Sequence, residues 1–191
     1  KQYQPVTLTF TGPDTKESAE ANPFTDCRLT VAFSRGNRRS SIRVPGYYAA
    51  DGNAAETSAD SGGKWRVHFR PDEPGEWTWT ASFRTGEDVA LSDEPAAGEP
   101  AAFHGATGEF TIAPADAKAP GFHGAGPLRY VGKRYLQHAG SKRFFLKAGA
   151  DSPENFLAYV GFDGTPAGRR GRAITHEYAP HVKNLRAGDP T

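Results

Sequence analysis

The chain has 191 residues and a formal net charge of +1, with 23 Lys and Arg against 22 Asp and Glu. This balance argues against a nucleic-acid partner and against attachment to a membrane surface through basic residues. No apolar run approaches the roughly 18 residues that cross a bilayer, and a single cysteine, Cys27, excludes an internal disulfide and a cysteine-based metal cluster.

Residues 1–113 repeat a pattern of short runs in which apolar and polar residues alternate, which is typical of half-buried strands. Five runs are clear, and a weaker sixth stops at Pro45-Gly46, because proline cannot donate to a β-ladder. The inward residues predicted from these runs are Val6, Leu8 and Phe10; Leu29, Val31 and Phe33; Ile42 and Val44 in the weaker run; Trp65, Val67 and Phe69; Trp77, Trp79, Ala81 and Phe83; and Phe110 and Ile112.

These strands have no amphipathic helix to cover them, since residues 1–113 lack apolar residues at i, i+3, i+4 and i+7. Two antiparallel sheets packed face to face would bury them, so we expect an all-β, immunoglobulin-like β-sandwich over residues 1–114. Turns are predicted at Pro13-Asp14, Gly36-Asn37 and Pro74-Gly75, the last as a hairpin between two aromatic-rich strands.

Two long segments between the strands, Ala49–Gly63 and Thr85–Ala106, are predicted as surface loops. Most such loops only connect, although long loops also contact ligands. Tyr47 and Tyr48 break the alternation beside the first loop, which makes them the candidates for stacking on sugar rings. The alternative is that these tyrosines pack under the loop.

The composition changes after residue 114. Residues 115–143 are predicted as a connector rich in Ala, Pro and Gly, followed by a β-hairpin. Phe144-Phe145-Leu146 is continuously apolar, as in a strand that is buried on both faces of a parallel sheet. Ser152 and Pro153 then suit a helix N-cap and first helical position, so a short helix should begin there.

Five motifs occur in the order and spacing of a known family. They are LTFTGP at 8–13, NPFTD at 22–26, VPGYY at 44–48, WRVHFRP at 65–71 and GEWTW at 75–79. Together they resemble the N-terminal immunoglobulin-like domain, formally of unknown function, that precedes barrel-type glycoside hydrolases in secreted bacterial proteins. The stretches GPLR at 126–129 and FFLKAGADSPENF at 144–156 resemble the junction between that domain and the first barrel strand.

The resemblance implies that residues 144–191 begin a (β/α)8 barrel of which this chain holds only the first strand and helix. Barrel active sites lie at the C-terminal ends of the strands, and the family's principal acid and base would belong to later strands. The expected function is therefore a non-catalytic accessory module of a secreted, polysaccharide-degrading glycoside hydrolase. A stand-alone carbohydrate-binding module and an adhesion module are the alternatives.

The same resemblance implies the partners and the location. The main partner would be the protein's own C-terminal catalytic barrel, with polysaccharide as a second ligand and with no cofactor. A secreted, periplasmic or cell-surface location is expected. The sequence contains no methionine, even at position 1, which is what a mature secreted protein or an excised fragment would show.

Three residues after the first barrel strand are candidates for the edge of a substrate site. Glycoside hydrolysis needs two carboxyl groups on opposite sides of the scissile bond. Asp151 and Glu154 follow the strand at its C-terminal end, with Asn155 as a hydrogen-bonding neighbour. Alternatively, Asp151 and Ser152 cap the helix and Glu154 complements its first turn.

Other chemistry finds no support in the sequence. The six histidines lack the spacing of a metal site, and the nucleophile elbow Gly-x-Ser-x-Gly and the phosphate-binding Gly-x-Gly-x-x-Gly are both missing. Cys27 is expected to be a buried, inert thiol. Two basic clusters, at residues 35–39 and 169–172, could hold carboxylate, sulfate or phosphate, or could be solvated turns.

Overall fold

A computed structural model describes residues 1–36 and 41–147. The chain divides into two compact units, Lys1–Phe145 and Leu146–Thr191, and all the strands and helices given below lie in the first. The predicted barrel helix at Ser152 lies outside the described residues, whereas the predicted barrel strand, Phe144 to Lys147, lies at their end. Among the described residues no helix is long and apolar enough to cross a membrane.

The first sheet has three antiparallel strands. They are β1 (Val6–Lys16), β5 (Ser61–Phe69) and β4 (Tyr47–Tyr48), in the spatial order β1-β5-β4. The alternation predicted for residues 6–10 and 65–69 is confirmed. Every second residue of β5 from Gly63 to Phe69 is buried, and in β1 the exposed Thr7 and Thr9 alternate with less exposed neighbours.

The second sheet is also antiparallel and is built around β6 (Gly75–Thr85). β2 (Cys27–Arg35) pairs with one edge of β6, and β3 (Ile42–Pro45) pairs with the far edge of β2. The other edge of β6 carries β8 (Thr107–Ile112) along its first half and β7 (Glu99–Pro100) at its end. β2 and β3 are antiparallel neighbours, as a turn between them requires, and Asn37 of the turn predicted at Gly36-Asn37 lies outside the described residues.

The core lies between the two sheets, as an all-β sandwich requires. The rings of Phe33 and Phe69 stack across it with centroids 4.1 Å apart, and Trp65 meets Phe83 edge to face at 4.8 Å. Its buried residues include Phe10, Leu29, Val31, Phe33, Tyr48, Trp65, Val67, Phe69, Trp77, Ala81, Phe83 and Ile112. Ile42 is the exception to the inward prediction, because it lies on edge strand β3 and is exposed.

The predicted turn at Pro13-Asp14 is wrong, because both residues lie inside β1. The ladder is irregular between Thr11 and Thr15, where three residues of β1 face Gly63 of β5. Glycine leaves room for this irregularity, since a Cβ built at Gly63 would lie 2.6 Å from a carboxylate oxygen of Asp14. The strand therefore bulges and continues instead of reversing.

The predicted hairpin at Pro74-Gly75 is also wrong. The strands on either side of it, β5 and β6, belong to different sheets, so residues 70–74 cross from one layer to the other. The aromatic faces of the two strands meet through the core, with Phe69 and Trp77 edge to face at 4.9 Å. Burial of both rings favours this crossover over side-by-side pairing.

The two predicted loops contain more structure than expected. The first includes a one-turn helix α1 (Ala54–Thr57), and its last residues, Ser61–Gly63, belong to β5. The second contains a 3-10 turn at Val89–Leu91 and the short strand β7. Val89 is buried, which anchors this loop to the core.

The predicted hairpin after the connector is confirmed with shorter strands. β9 (Leu128–Arg129) pairs antiparallel with β10 (Gln137–His138), following a one-turn helix α2 (Phe122–Ala125). Phe144 forms one antiparallel bridge, to Gln137, and its side chain is 48% exposed. A strand buried on both faces needs a neighbour on each side, and within residues 144–147 this bridge is the only pairing described.

Candidate functional site

Tyr47 and Tyr48 lie on opposite sides of β4, as successive strand residues must. Tyr48 is 6% exposed, packs 5.2 Å from Trp65 between ring centroids, and has its hydroxyl 2.7 Å from the Thr15 carbonyl. The Tyr48 ring is thus unavailable to a sugar. It packs under the loop, which was the alternative to sugar stacking in the sequence analysis. Tyr47 is 45% exposed and carries the accessible ring.

Tyr47 stands on the outer face of the first sheet, in a row that crosses all three strands. Thr9 of β1 is the register partner of Arg66 of β5, and Arg66 is the register partner of Tyr47. Residues directly opposite each other in an antiparallel pair share a face. The threonine hydroxyl, the guanidinium and the phenol therefore line up side by side.

Three cationic or ionisable side chains of β5 each bond a threonine of β1 on this face. Lys64 Nζ donates to Thr11 Oγ1 at 2.9 Å, and Arg66 Nε donates to Thr9 Oγ1 at 3.2 Å. His68 Nδ1 lies 2.8 Å from Thr7 Oγ1. We call this set the threonine–cation face; its members are Thr7, Thr9, Thr11, Tyr47, Lys64, Arg66 and His68.

His68 fixes the position of Tyr47. Its Nε2 lies 2.9 Å from the Tyr47 hydroxyl, and the two ring centroids are 5.6 Å apart. Since both imidazole nitrogens have hydroxyl partners, either neutral tautomer is satisfied: one nitrogen donates while the other accepts. The tyrosine ring is thereby presented in one orientation.

A carboxylate, that of Asp51, acts on Arg66 of this face without forming a salt bridge to it. Within residues 1–36 and 41–147, neither Lys64 nor Arg66 takes part in an ion pair. Asp51 is the acid on which Arg66 acts, but its pKa is lowered mainly by hydrogen bonds from the Thr57 hydroxyl and the Asn53 N–H, with a smaller contribution from Arg66. Its carboxylate is therefore already engaged in the turn that begins α1.

The sequence indicated part of this face. The outward direction of Arg66 and His68 follows from the alternation in β5, whereas Lys64 and the three threonines were not recognised as members of a site. The signal was present in the Thr-x-Thr-x-Thr pattern at 7–11 and the matching alternation at 64–68. What the sequence lacks is the register that sets the two patterns against each other.

A second surface stands out by its exposed apolar side chains. The described residues contain eleven large apolar side chains that are exposed, and six of them lie between residues 122 and 145. We call these six the apolar surface; they are Phe122, Tyr130, Val131, Tyr135, Leu136 and Phe144. The other five are Phe24, Ile42, Tyr47, Leu91 and Leu146.

The segment that carries the apolar surface is fastened to one end of the sandwich. Arg70, which follows β5, donates to the carbonyl of Tyr3 at 2.7 Å and to that of Phe122 at 2.8 Å. Arg129 and Asp72 form a salt bridge of 3.2 Å. The apolar surface is thus held in place by the sandwich while remaining open to solvent.

Most of the other predicted site residues lie outside the described part of the chain. These are Asp151, Glu154, Asn155 and the basic cluster at 169–172. Arg35, from the first basic cluster, donates to the Pro74 carbonyl at 2.8 Å and pairs with Glu73 at 2.7 Å, so it braces the crossover between the sheets.

Groups that could hold a metal ion or act as a nucleophile are scarce. Among residues 1–36 and 41–147 no cluster of three His, Cys, Asp or Glu side chains occurs that could bind a metal. The Cys27 thiol is half-buried, and burial together with the charge of Asp26 raises its pKa. A thiol with a raised pKa holds less of the reactive thiolate.

Residues 1–84 match the family model described as a domain of unknown function, DUF5060. A solved structure described as a "putative glycoside hydrolase" from Bacteroides vulgatus is similar, with 22% identity and a TM-score of 0.47. The match covers 75% of this chain and 20% of that one, so this chain spans about one fifth of that protein's length. A comparison with curated proteins found no match. The match to the family model runs from the first residue to Arg84, the residue before the end of β6.

Proposed function

We propose that this chain is a non-catalytic accessory module of a secreted polysaccharide-degrading glycoside hydrolase. In this proposal residues 1–114 form an immunoglobulin-like sandwich, and a catalytic barrel follows in the same polypeptide. The observation that carries the proposal is the apolar surface. Its last member is Phe144, and the sequence from residue 144 onward resembles the junction with the barrel.

A concentration of exposed apolar side chains favours an interface. Apolar surface removed from water contributes about 25 cal/mol per Å², and six large apolar side chains are exposed within this one short segment. The occupant that fits best is the next domain of the same polypeptide. A covalent link raises the effective concentration of a partner into the millimolar range, so a surface of six side chains would suffice.

The use made of the family-like motifs supports a structural role. Trp65, Phe69 and Trp77, from the two tryptophan-containing motifs, are buried in the core. Asp26, from the NPFTD motif, accepts backbone N–H groups of Asn22 and Asp88. These motif side chains pack in the core or stabilise turns. In this proposal the catalytic carboxyl groups therefore belong to the barrel.

The experiment compares the 191-residue chain with the full polypeptide encoded by its gene in hydrolysis assays on a panel of polysaccharides. We expect hydrolysis only from the full polypeptide. In that polypeptide, Tyr130→Ser should leave the initial rate unchanged and should shorten the half-life of activity on heating, because it removes a side chain from the interface. Leu91→Ser is the matched control, since Leu91 is 70% exposed and Tyr130 is 76% exposed.

Three results would overturn the proposal. The first is hydrolysis by the 191-residue chain alone, and the second is a full polypeptide that hydrolyses no polysaccharide. The third is a Tyr130→Ser variant that is inactivated no faster than Leu91→Ser.

A further inference from the structure

We infer that the threonine–cation face binds a carboxylated polysaccharide, with the polymer lying along β5 and one sugar ring against Tyr47. This inference goes beyond the accessory role and does not depend on it. It concerns the outer face of the first sheet, whereas the accessory role concerns the apolar surface.

The first argument is the charge of the face. Lys64 and Arg66 point outward from alternate positions of β5, and among the described residues each is bonded to a threonine hydroxyl rather than to a carboxylate. A guanidinium has five N–H donors and an ammonium has three, so each cation keeps donors for a ligand. A carboxylate is the acceptor that a guanidinium binds most selectively, through two parallel hydrogen bonds.

The threonines add a second set of donors. Thr9 and Thr11 accept a hydrogen bond from a cation through their oxygen, which leaves each hydroxyl proton free to donate elsewhere. A hydroxyl can accept and donate at the same time. The face therefore offers charged donors to a carboxylate and neutral donors to the hydroxyl or ring oxygens of a sugar.

The third argument is the shape of the face. From Lys64 to His68 the donors follow one strand over about 13 Å, taking roughly 3.3 Å per residue. A row of this length suits an extended polymer better than a single small anion.

Tyr47 is what favours a sugar over another polyanion. Its exposed ring stands beside Arg66 and is held by His68, and an exposed aromatic ring can stack on the apolar face of a sugar while its hydroxyl stays in a polar network. An acidic peptide would use the cations and would gain little from the ring.

The test measures binding of the 191-residue chain to polygalacturonate by titration calorimetry at low salt. Two further polymers serve as probes: fully methyl-esterified polygalacturonate, which keeps the sugar backbone without the charge, and poly-glutamate, which keeps the carboxylates without the sugar. We expect polygalacturonate to bind best, and its affinity to fall as salt is added.

Three variants assign the binding to this face. Arg66→Gln should weaken binding of polygalacturonate by about tenfold or more, because it removes charge-assisted hydrogen bonds. Tyr47→Ala should weaken binding of polygalacturonate and leave any binding of poly-glutamate unchanged. Arg43→Gln, which removes an exposed positive charge from β3 in the other sheet, should change the affinity by less than about twofold.

Circular dichroism and urea unfolding check that each variant is folded, and Lys64→Gln replaces Arg66→Gln if the latter is not. The inference is contradicted if the esterified polymer or poly-glutamate binds as tightly as polygalacturonate. It is also contradicted if Arg43→Gln weakens binding as much as Arg66→Gln does, or if polygalacturonate does not bind. None of these results bears on the accessory role, which is tested by the activity and inactivation of the full polypeptide.

Discussion

Asp26 holds together the turn that leads into β2. Its carboxylate accepts the N–H of Asn22 at 2.9 Å and that of Asp88 at 3.0 Å, and its own carbonyl accepts the N–H of Gly86 at 3.0 Å. One residue thereby joins the NPFTD motif to the loop that follows β6. The motif therefore has a structural role: these hydrogen bonds fix the backbone of a short polar stretch at the edge of the core.

The pH dependence of unfolding tests this role. The pKa of Asp26 lies below its ordinary value of 3.8, first because of the hydrogen bond from the Asp88 N–H and also because of those from Thr25 and Asn22. A lowered pKa in the folded state stabilises the protein fully above the ordinary value, and the stabilisation is lost as the pH falls through the folded-state value. Asp26→Asn should therefore lower the urea midpoint at pH 7, and its difference from the unchanged chain should shrink towards pH 2.

Asp93→Asn serves as the control, because Asp93 is an exposed acid in the loop after β6. We expect its urea midpoint to differ little from that of the unchanged chain at each pH in the same range. A pH-dependent difference of equal size in Asp93→Asn and Asp26→Asn would show that Asp26 has no special role.

At the scale of elements, two arginines hold the long loop after β6. Arg28 of β2 and Arg84 of β6 are register partners, and both guanidinium groups donate to loop carbonyls. Arg84 donates to Ala96 and Gly98 at 2.7 Å and to Ala97 at 2.8 Å, and Arg28 donates to Ser92 at 2.8 Å and to Glu94 at 2.9 Å. The loop after β6, which the sequence shows only as a surface loop, is thus held by hydrogen bonds from these two guanidinium groups.

Arg84→Lys tests this arrangement, because an ammonium cannot reach three carbonyls with the geometry of a planar guanidinium. We expect a loss of about 1–3 kcal/mol in the free energy of unfolding and faster proteolysis within residues 92–98. Urea unfolding and limited proteolysis measure the two effects. Arg43→Lys, at an exposed position of β3, should change neither, and an Arg84→Lys variant that matched it would refute the assignment.

The features of the fold that could be predicted are those whose sequence pattern lies within a single strand. The period-2 alternation identified β1, β2, β3, β5, β6 and β8, because the burial of one face leaves its pattern in each of these strands separately. It did not identify the two-residue strands β4 and β7, although Tyr48 of β4 belongs to the core. The pairing of strands is not local: the hairpin expected at Pro74-Gly75 is a crossover because Phe69 and Trp77 meet through the core. Likewise, Pro13-Asp14 has the residue types of a turn, and only the presence of Gly63 opposite it allows a bulge instead.

The same distinction applies to the candidate site. Successive strand residues face opposite sides, so one of Tyr47 and Tyr48 must face the core and the other the solvent. A strand of two residues is too short for its sequence to show which of the two faces the core. The threonine–cation face depends on the register between β1 and β5, which residues on distant parts of the chain set together. The apolar surface was foreshadowed by Phe144-Phe145-Leu146, whose continuous apolar character indicates a need for cover.

At the scale of the whole molecule, the two surfaces adjoin at Arg70. β5 carries the threonine–cation face up to His68, and Arg70, two residues later, donates to Phe122 at the edge of the apolar surface. On the proposed binding face, a polymer lying along β5 would therefore point towards the segment that carries the apolar surface.

The central claim is that a following domain docks on the apolar surface. It is tested most directly by amide hydrogen exchange of residues 122–145, measured in the 191-residue chain and in the full polypeptide encoded by the gene. The α1 segment, residues 54–60, is the internal reference and should exchange at the same rate in both. We predict slower exchange of residues 122–145 in the full polypeptide, because a docked domain would shield and stabilise their backbone. Equal exchange in the two polypeptides would contradict the accessory role.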